Sequence, residues 1–128
     1  MANIIDMSKM RVQLHAADWR EAITLSGQVL EEIGSITHEY TENMIRAVEE
    51  MGPYMVIMPG FAIAHAAPCP AVLKEDLALI TLAEPVVFGS PNDPVTTILC
   101  VACIDRDSHM RALQTVADQI DLFCRIIE

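Results

Sequence analysis

Two histidines in this sequence have surroundings that could support chemistry. His65 lies in an otherwise almost wholly apolar stretch, residues 52–68, just after the turn formers Pro59 and Gly60. Its neighbours are small and would let another reactive group approach the imidazole closely: Ala62, Ala64, Ala66 and Ala67. His109 is predicted in the first turn of the last helix, just beyond the end of the strongest predicted strand. Ligand sites of open α/β sheets favour that position.

Two imidazoles at one edge of a sheet would suit phosphoryl transfer through a phosphohistidine. The attacking nitrogen must be unprotonated, and a hydrogen bond at the other ring nitrogen fixes the tautomer. The second imidazole can neutralise phosphoryl oxygens in the transition state, while a helix N-terminus adds N–H donors. The sequence has no G-x-x-x-x-G-K-[ST] motif for a nucleotide. We therefore expect a donor that arrives already activated, carried by a protein.

Each histidine also has a purely structural interpretation. A lone histidine among apolar residues, such as His65, is more often a core residue bonded to a carbonyl. His109 could equally be an exposed residue of a helix end. His15 and His38 lack comparable surroundings and are expected to be solvated.

Cys100 and Cys103 form a C-x-x-C pattern, which also occurs in redox and metal sites. Both fall in a predicted buried strand, where an offset of three residues points the two thiols to opposite faces. Cys69 and Cys124 do not supply a second ligand pair with zinc-like spacing. We expect buried, inert thiols and neither a metal nor an organic cofactor. A histidine and cysteine metal protein is the weakest hypothesis for this chain.

The apolar periodicity predicts alternating helices and strands. A first strand, at an edge of the sheet, is expected at residues 10–16, with Val12 and Leu14 on its apolar side. Helices are predicted at residues 18–34, where Asp18 and Glu21 form a capping box, and at residues 37–51. The apolar face of the second helix is expected to consist of Tyr40, Met44, Ala47, Val48 and Met51.

Further strands are predicted at residues 54–58, 77–82, 86–88 and 95–104. Glu84 and Pro85 are expected to interrupt the chain between the second and third of these. The strand at residues 95–104 is apolar on both faces, which places it centrally in a sheet covered on both sides. A last helix, capped by Asp107 or Ser108, follows it.

Composition narrows the class of protein. A chain of 128 residues with 52% hydrophobic content suits one α/β domain over residues 1–128. Its net charge of −10 argues against binding to nucleic acid or anionic membranes and favours a basic protein partner. No stretch reaches the roughly 18 apolar residues of a membrane span. We expect a soluble, cytoplasmic protein.

The segment PGFAIAHA around His65 resembles the active-site segment of the enzyme IIA proteins of the sugar phosphotransferase system, mannitol/fructose superfamily. GPYMVIMPG before it is most similar to the ascorbate-type branch. The similarity continues in DLALITLAEPVVFG and in NDPVTTILCVACIDRDSHMRALQTVADQI. The resemblance implies a single α/β domain with a mixed, mostly parallel sheet flanked by helices on both faces.

The same resemblance implies a function. His65 would be the phosphorylated nucleophile, and His109 would be the second histidine that stabilises the phosphoryl group. The phosphate would come from the carrier HPr and pass to a cysteine of enzyme IIB. This transfer would drive uptake of a sugar through the membrane component, enzyme IIC.

Three residues depart from the family pattern. Ala64 stands where proline is common, Ala67 where arginine is frequent, and Glu49 where mannitol and fructose types have arginine. The chain also ends at Glu128, earlier than family members usually do, which would omit a terminal helix and could favour a homodimer. These departures leave the transported sugar open. They also leave open an alternative function: a regulatory binding module of the same fold that is not dedicated to transport.

Overall fold

The computed structural model describes residues 7–107, 110, 111 and 114 of the chain. A single 3-10 turn, Met7–Lys9, precedes the first strand. The main elements in chain order are β1 (Met10–Leu14), α1 (Trp19–Ile33), α2 (His38–Met51), β2 (Val56–Met58), β3 (Phe61–Ala64), β4 (Asp76–Val86) and β5 (Val95–Ala102).

The five strands form one mixed sheet with the order β1-β4-β5-β3-β2. β5 lies in the centre, as its two apolar faces predicted, parallel to β3 and antiparallel to β4. β1 is parallel to β4, and β2 is antiparallel to β3. Ala64 pairs with Cys100, so β3 and β5 end at the same edge of the sheet. We call this edge, where His65 follows β3, the carboxyl edge.

Both described helices begin and end where the sequence predicts. The Asp18 side chain accepts a hydrogen bond from the Glu21 N–H at 2.9 Å, and Glu21 Oε1 accepts one from the Ala17 N–H at 2.7 Å. Gly34 ends α1 in the left-handed region (φ 90°), which glycine adopts at little cost. Thr37 and Gly52 flank α2.

The apolar core lies on both faces of the sheet. α1 and α2 cover one face with their buried residues, among them Ile23, Leu30, Tyr40 and Met44. The opposite face carries a smaller cluster: Phe61, Ile63, Leu79, Leu99, Val101 and Cys103. Among the described residues, no helix contributes to this second cluster. The last predicted helix, from Ser108 onward, lies largely outside the described residues.

The contact between α1 and α2 depends on a glycine. A Cβ atom built at Gly27 would lie 2.3 Å from Thr41 Oγ1 and 3.0 Å from Thr41 Cγ2. Thr41 cannot easily turn away, since it is fully buried and its hydroxyl donates to Glu31 Oε2 at 2.7 Å. Only glycine therefore fits at position 27 with the two helices this close.

The prediction for the first strand was partly wrong. β1 is an edge strand, as expected, but Val12 is 60% exposed instead of turned inward. Gln13 has a positive φ of 57°, and the pairing register with β4 shifts between Arg11 and Leu14. This irregularity breaks the alternation of faces on which the prediction relied.

Three strand predictions need correction. Phe61–Ala64, which was not assigned as a strand, is β3. β4 runs without interruption through Glu84 and Pro85, because its register shifts between Thr81 and Val86 and leaves both residues exposed. β5 ends at Ala102, two residues earlier than predicted.

Two helix predictions also differ from the structure. Met51 is 66% exposed at the last residue of α2, where the helix ends. Asp107 is already helical, as is Arg106 before it, so Asp107 does not cap the last helix. Ser108, the alternative cap, lies outside the described residues. No described helix is long and apolar enough to cross a membrane.

An acidic side chain with several partners lies at the carboxyl edge. Asp76 pairs with Ala102 at the start of β4, and its side chain is only 4% exposed. Its carboxylate contacts Lys9 Nζ at 2.6 Å and accepts hydrogen bonds from the Ser35 hydroxyl at 2.5 Å and the Leu77 N–H at 2.9 Å. Burial raises the pKa of Asp76, but the bonds from Lys9, Ser35 and Leu77 outweigh it and leave the pKa lowered.

Replacing Gly27 with alanine should destabilise the protein by about 2 kcal/mol. The clash with Thr41 exceeds the gain in helix propensity, which is about 1 kcal/mol. Urea unfolding followed by circular dichroism gives the free energy of unfolding. The control is Gln28→Ala on the exposed side of α1, which should stay within about 0.5 kcal/mol of wild type. A Gly27→Ala variant as stable as this control would contradict the tight helix contact.

Asp76→Asn should cost about 2 kcal/mol at pH 7, because it removes a buried charged acceptor. The lowered pKa of Asp76 gives stability that is present above the unfolded pKa of about 4 and is lost as pH falls through the folded pKa. The variant should therefore lose less stability than wild type between about pH 5 and pH 2. Urea unfolding at a series of pH values measures this.

Glu32→Gln serves as the control for Asp76→Asn. Glu32 also has a lowered pKa, through its hydrogen bond from Arg11, but this pair is on the surface. Glu32→Gln should therefore change the pH dependence of stability much less than Asp76→Asn does. Parallel profiles for wild type and Asp76→Asn would contradict the role given to Asp76.

Candidate active site

His65 lies at the carboxyl edge, directly after the buried strand β3. All four residues of β3 are buried, whereas His65 is half-buried and the second residue after it, Ala67, is exposed. The chain thus passes from the core to the surface at the histidine. The imidazole is held by the core and still reachable from solvent, as a nucleophile must be.

A short hydrogen bond fixes the tautomer of His65. Its Nδ1 lies 2.8 Å from the carbonyl oxygen of Ile63, two residues earlier. A carbonyl can only accept, so Nδ1 carries the proton and donates it. In the neutral imidazole the lone pair is therefore on Nε2. Nε2 is the nitrogen that can attack an electrophile.

Tyr54, in the turn before β2, packs against the imidazole. The two rings meet edge to face, with centroids 5.2 Å apart and an interplanar angle of 88°. The Tyr54 hydroxyl donates to the backbone carbonyl of His65 at 3.0 Å. Burial raises the pKa of Tyr54, so the hydroxyl keeps its proton for this bond at neutral pH.

Tyr40 holds the residue after His65 from the other side. It is fully buried on α2, and its hydroxyl accepts a hydrogen bond from the Ala66 N–H at 3.0 Å. The same hydroxyl lies 2.8 Å from the Val101 carbonyl, to which it donates, and 3.2 Å from the Ala66 carbonyl. Burial raises the pKa of Tyr40 far above its ordinary value. Tyr40 thereby ties the segment after β3 to the end of β5.

An open groove of about 280 Å³ runs beside the segment after His65. Residues 66–69 form one wall, and α2 forms the other, with Asn43, Arg46 and Glu50 among its lining residues. Asn43 Nδ2 contacts Cys69 Sγ at 3.7 Å, and Arg46 donates to Asn43 Oδ1 at 3.3 Å. The groove thus lies between α2 and the residues that directly follow His65.

The cysteines give no sign of a redox or metal centre in the described part of the chain. Cys100 and Cys103 are buried in the clusters on opposite faces of the sheet, as predicted, and burial raises the pKa of Cys100 to about 12. Cys69 differs from the prediction because it is only half-buried. Among the described residues, no group of three or more histidine, cysteine, aspartate or glutamate side chains could hold a metal ion.

Two of the other histidines contact carboxylates and not the groups of the site around His65. His15 and His38 are exposed, with side chains at 78% and 62%, and contact Glu84 at 3.4 Å and Glu31 at 3.2 Å. His109 lies outside the described residues, so its approach to His65 stays a prediction.

The sequence-based reasoning missed the two tyrosines. Tyr40 was assigned only to the apolar face of α2, and Tyr54 only to a strand. One signal was present for Tyr40: a tyrosine on the buried face of a helix needs a hydrogen-bond partner for its hydroxyl.

Comparison with known proteins identifies the family. The model of the family described as "Phosphoenolpyruvate-dependent sugar phosphotransferase system, EIIA 2" matches residues 3–121. The ascorbate-specific PTS system EIIA component of Escherichia coli (strain K12) is 32% identical over 108 residues, which cover 84% of this chain and 70% of that protein.

Solved structures with a similar fold include the following two. The mannitol-specific cryptic phosphotransferase enzyme IIA CmtB from Escherichia coli aligns with a TM-score of 0.80 and 30% identity, over 90% of this chain and 78% of that one. The complex of enzyme IIAMTL and phosphorylated enzyme IIBMTL from Escherichia coli gives a TM-score of 0.79 and 21% identity, over 91% and 81%. The second of these shows the fold alone.

The family match covers nearly the whole chain, and the sheet order agrees with the α/β fold expected of an enzyme IIA. The chain therefore belongs to the EIIA 2 family of the sugar phosphotransferase system, whose members are phosphotransferases that carry a phosphoryl group on a histidine.

Proposed function

We propose that His65 is the residue that carries the phosphoryl group. One observation carries this proposal: the hydrogen bond from Nδ1 to the Ile63 carbonyl, which leaves the lone pair on Nε2 at the accessible edge of the sheet. Neither His15 nor His38 has a comparable backbone acceptor, since each contacts a carboxylate side chain instead.

The reaction at His65 is a pair of phosphoryl transfers. Nε2 attacks the phosphorus of a phosphohistidine on the donor protein; the new P–N bond forms as the donor's P–N bond breaks, and the donor imidazole keeps the electron pair. As positive charge develops on the His65 ring, the Ile63 carbonyl stabilises the proton on Nδ1. In the second step, a thiolate of the acceptor attacks phosphorus and the His65 ring leaves with its electron pair.

The donor and acceptor in this proposal are HPr and a cysteine of enzyme IIB. A similar fold occurs in a complex with phosphorylated enzyme IIB, which supports an enzyme IIB as the acceptor. The net charge of −10 favours basic partner surfaces. Enzyme IIC would then take part only indirectly, as the membrane component that moves the sugar.

The sugar is proposed to be of the ascorbate type. The support is the 32% identity to a relative named ascorbate-specific. A mannitol-specific structure is 30% identical, so the sequence distance alone does not separate the two. This part of the proposal depends on which enzyme IIB accepts the phosphate.

His65→Ala should abolish phosphorylation. Incubation with phosphoenolpyruvate, enzyme I and HPr should give the wild-type protein an acid-labile, base-stable phosphoryl adduct, detected by intact-protein mass spectrometry. His38→Ala is the matched control, because His38 is exposed on α2, and it should be phosphorylated like wild type. An adduct that persists in His65→Ala would assign the chemistry to another residue.

His109→Ala should slow phosphoryl transfer by about a hundredfold, the cost typical of losing one group that stabilises transition-state charge. The folded state should be almost unaffected, since the residue is predicted at a helix end on the surface. Single-turnover transfer from phosphorylated HPr and a thermal unfolding curve measure the two effects. Transfer at the wild-type rate would remove His109 from the mechanism.

Transfer from the phosphorylated protein to purified enzyme IIB domains distinguishes the sugar types. Ascorbate-type enzyme IIB should be phosphorylated at least about tenfold faster than mannitol-type, since specific partners differ by contacts worth more than 1 kcal/mol. Preference for the mannitol-type domain would overturn the ascorbate assignment. Stable phosphorylation of His65 without transfer to either domain would favour the regulatory binding module instead.

A further inference from the structure

Two tyrosine hydroxyls hold the same peptide group, the one that joins His65 to Ala66. Its carbonyl oxygen, on His65, accepts a hydrogen bond from Tyr54 at 3.0 Å. Its N–H, on Ala66, donates to Tyr40 at 3.0 Å. The two tyrosines come from different elements, α2 and the turn before β2, and reach opposite ends of one planar unit.

Fixing this peptide group fixes the direction of the imidazole. This peptide group and the preceding one, which continues from β3, together set φ and ψ at His65 and so the direction of its Cα–Cβ bond. The hydrogen bond from Nδ1 to Ile63, only two residues back, requires one such orientation. A shift of this peptide group that changes φ at His65 would move the imidazole out of line with the Ile63 carbonyl and weaken the preference for the tautomer that has its lone pair on Nε2.

The two bonds differ in how strongly they are protected from water. Tyr40 is fully buried and is itself anchored to the Val101 carbonyl at 2.8 Å, so it links the peptide group to the central strand. Tyr54 is 38% exposed and also contacts the imidazole with its ring. A partner protein that docks at the carboxyl edge can therefore reach Tyr54 but not Tyr40.

We propose that Tyr40 and Tyr54 are positioning residues that together clamp the peptide group between His65 and Ala66 and so select the Nδ1-protonated tautomer of His65. The inference rests on the proposed role of His65 for its effect on transfer, but the effect on the tautomer does not depend on that role. Neither tyrosine touches the transferred phosphoryl group in this proposal.

The test uses Tyr40→Phe and Tyr54→Phe, which remove one hydroxyl each and keep the aromatic rings. Imidazole ¹⁵N chemical shifts in the unphosphorylated protein report the tautomer of His65. Both variants should show a smaller Nδ1–H population than wild type. Both should also accept phosphate from HPr about tenfold more slowly in single-turnover experiments, with a little-changed KM for HPr, since loss of alignment acts on the transfer step.

Thr41→Val is the matched control. Thr41 is next to Tyr40 on α2, is equally buried, and loses a hydrogen bond to Glu31 without a change of shape. It should lower stability and leave both the tautomer and the transfer rate within about twofold of wild type, because it has no contact with the 65–66 peptide group.

A wild-type tautomer and rate in either folded phenylalanine variant would overturn the proposal, as would an equal change in Thr41→Val. If Tyr40→Phe does not fold, Tyr54→Phe decides alone, since Tyr54 is partly exposed and lies in a turn. If the wild-type protein is not phosphorylated at all, the proposed function fails, and the tautomer measurements still test the clamp.

Discussion

The register between β3 and β5 decides where every residue of the site lies. Ala64 pairs with Cys100 in a parallel ladder, so the two strands end together and His65 is the first residue beyond the sheet. The same register brings Val101 within reach of the Tyr40 hydroxyl, which also contacts Ala66. A shift of one residue would turn Phe61 and Ile63 to the opposite face and move the histidine away from both tyrosines.

At this edge of the sheet a buried strand is followed by a partly accessible histidine, an arrangement that suits a phosphoryl carrier. The β3 residues are packed between two clusters, and the histidine that follows is half-buried. The hydrogen bonds described around it involve neutral groups: two tyrosine hydroxyls with raised pKa values and backbone carbonyls. Neutral donors and acceptors can hold an imidazole in place without fixing its charge, which would change during each of the proposed transfers. A buried carboxylate at this edge, Asp76, is paired with Lys9.

Local sequence signals predicted the helices and the central strand, because they depend on neighbouring residues. Asp18 and Glu21 form the expected cap, Gly34 and Gly52 end the helices, and β5 is apolar on both faces. His65 was found through its contrast with its apolar neighbours. The failures depend on pairing between distant segments. Val12 is exposed because Gln13 adopts a positive φ opposite β4, and Pro85 continues a strand because the ladder to β5 shifts there.

At the site itself, the roles of the tyrosines could not be predicted for the same reason: they depend on contacts between distant segments. Tyr40 is 25 residues before His65 and fits the apolar periodicity of α2. Nothing in the local sequence therefore indicates that its hydroxyl forms hydrogen bonds with Ala66 and Val101. Its polar role exists only once α2 lies across the ends of β3 and β5. That placement in turn requires Gly27, since any side chain there would push α2 away from α1 through Thr41. The orientation of a reactive imidazole thus depends on a helix contact formed by residues that carry no chemistry, because close packing transmits small displacements instead of absorbing them.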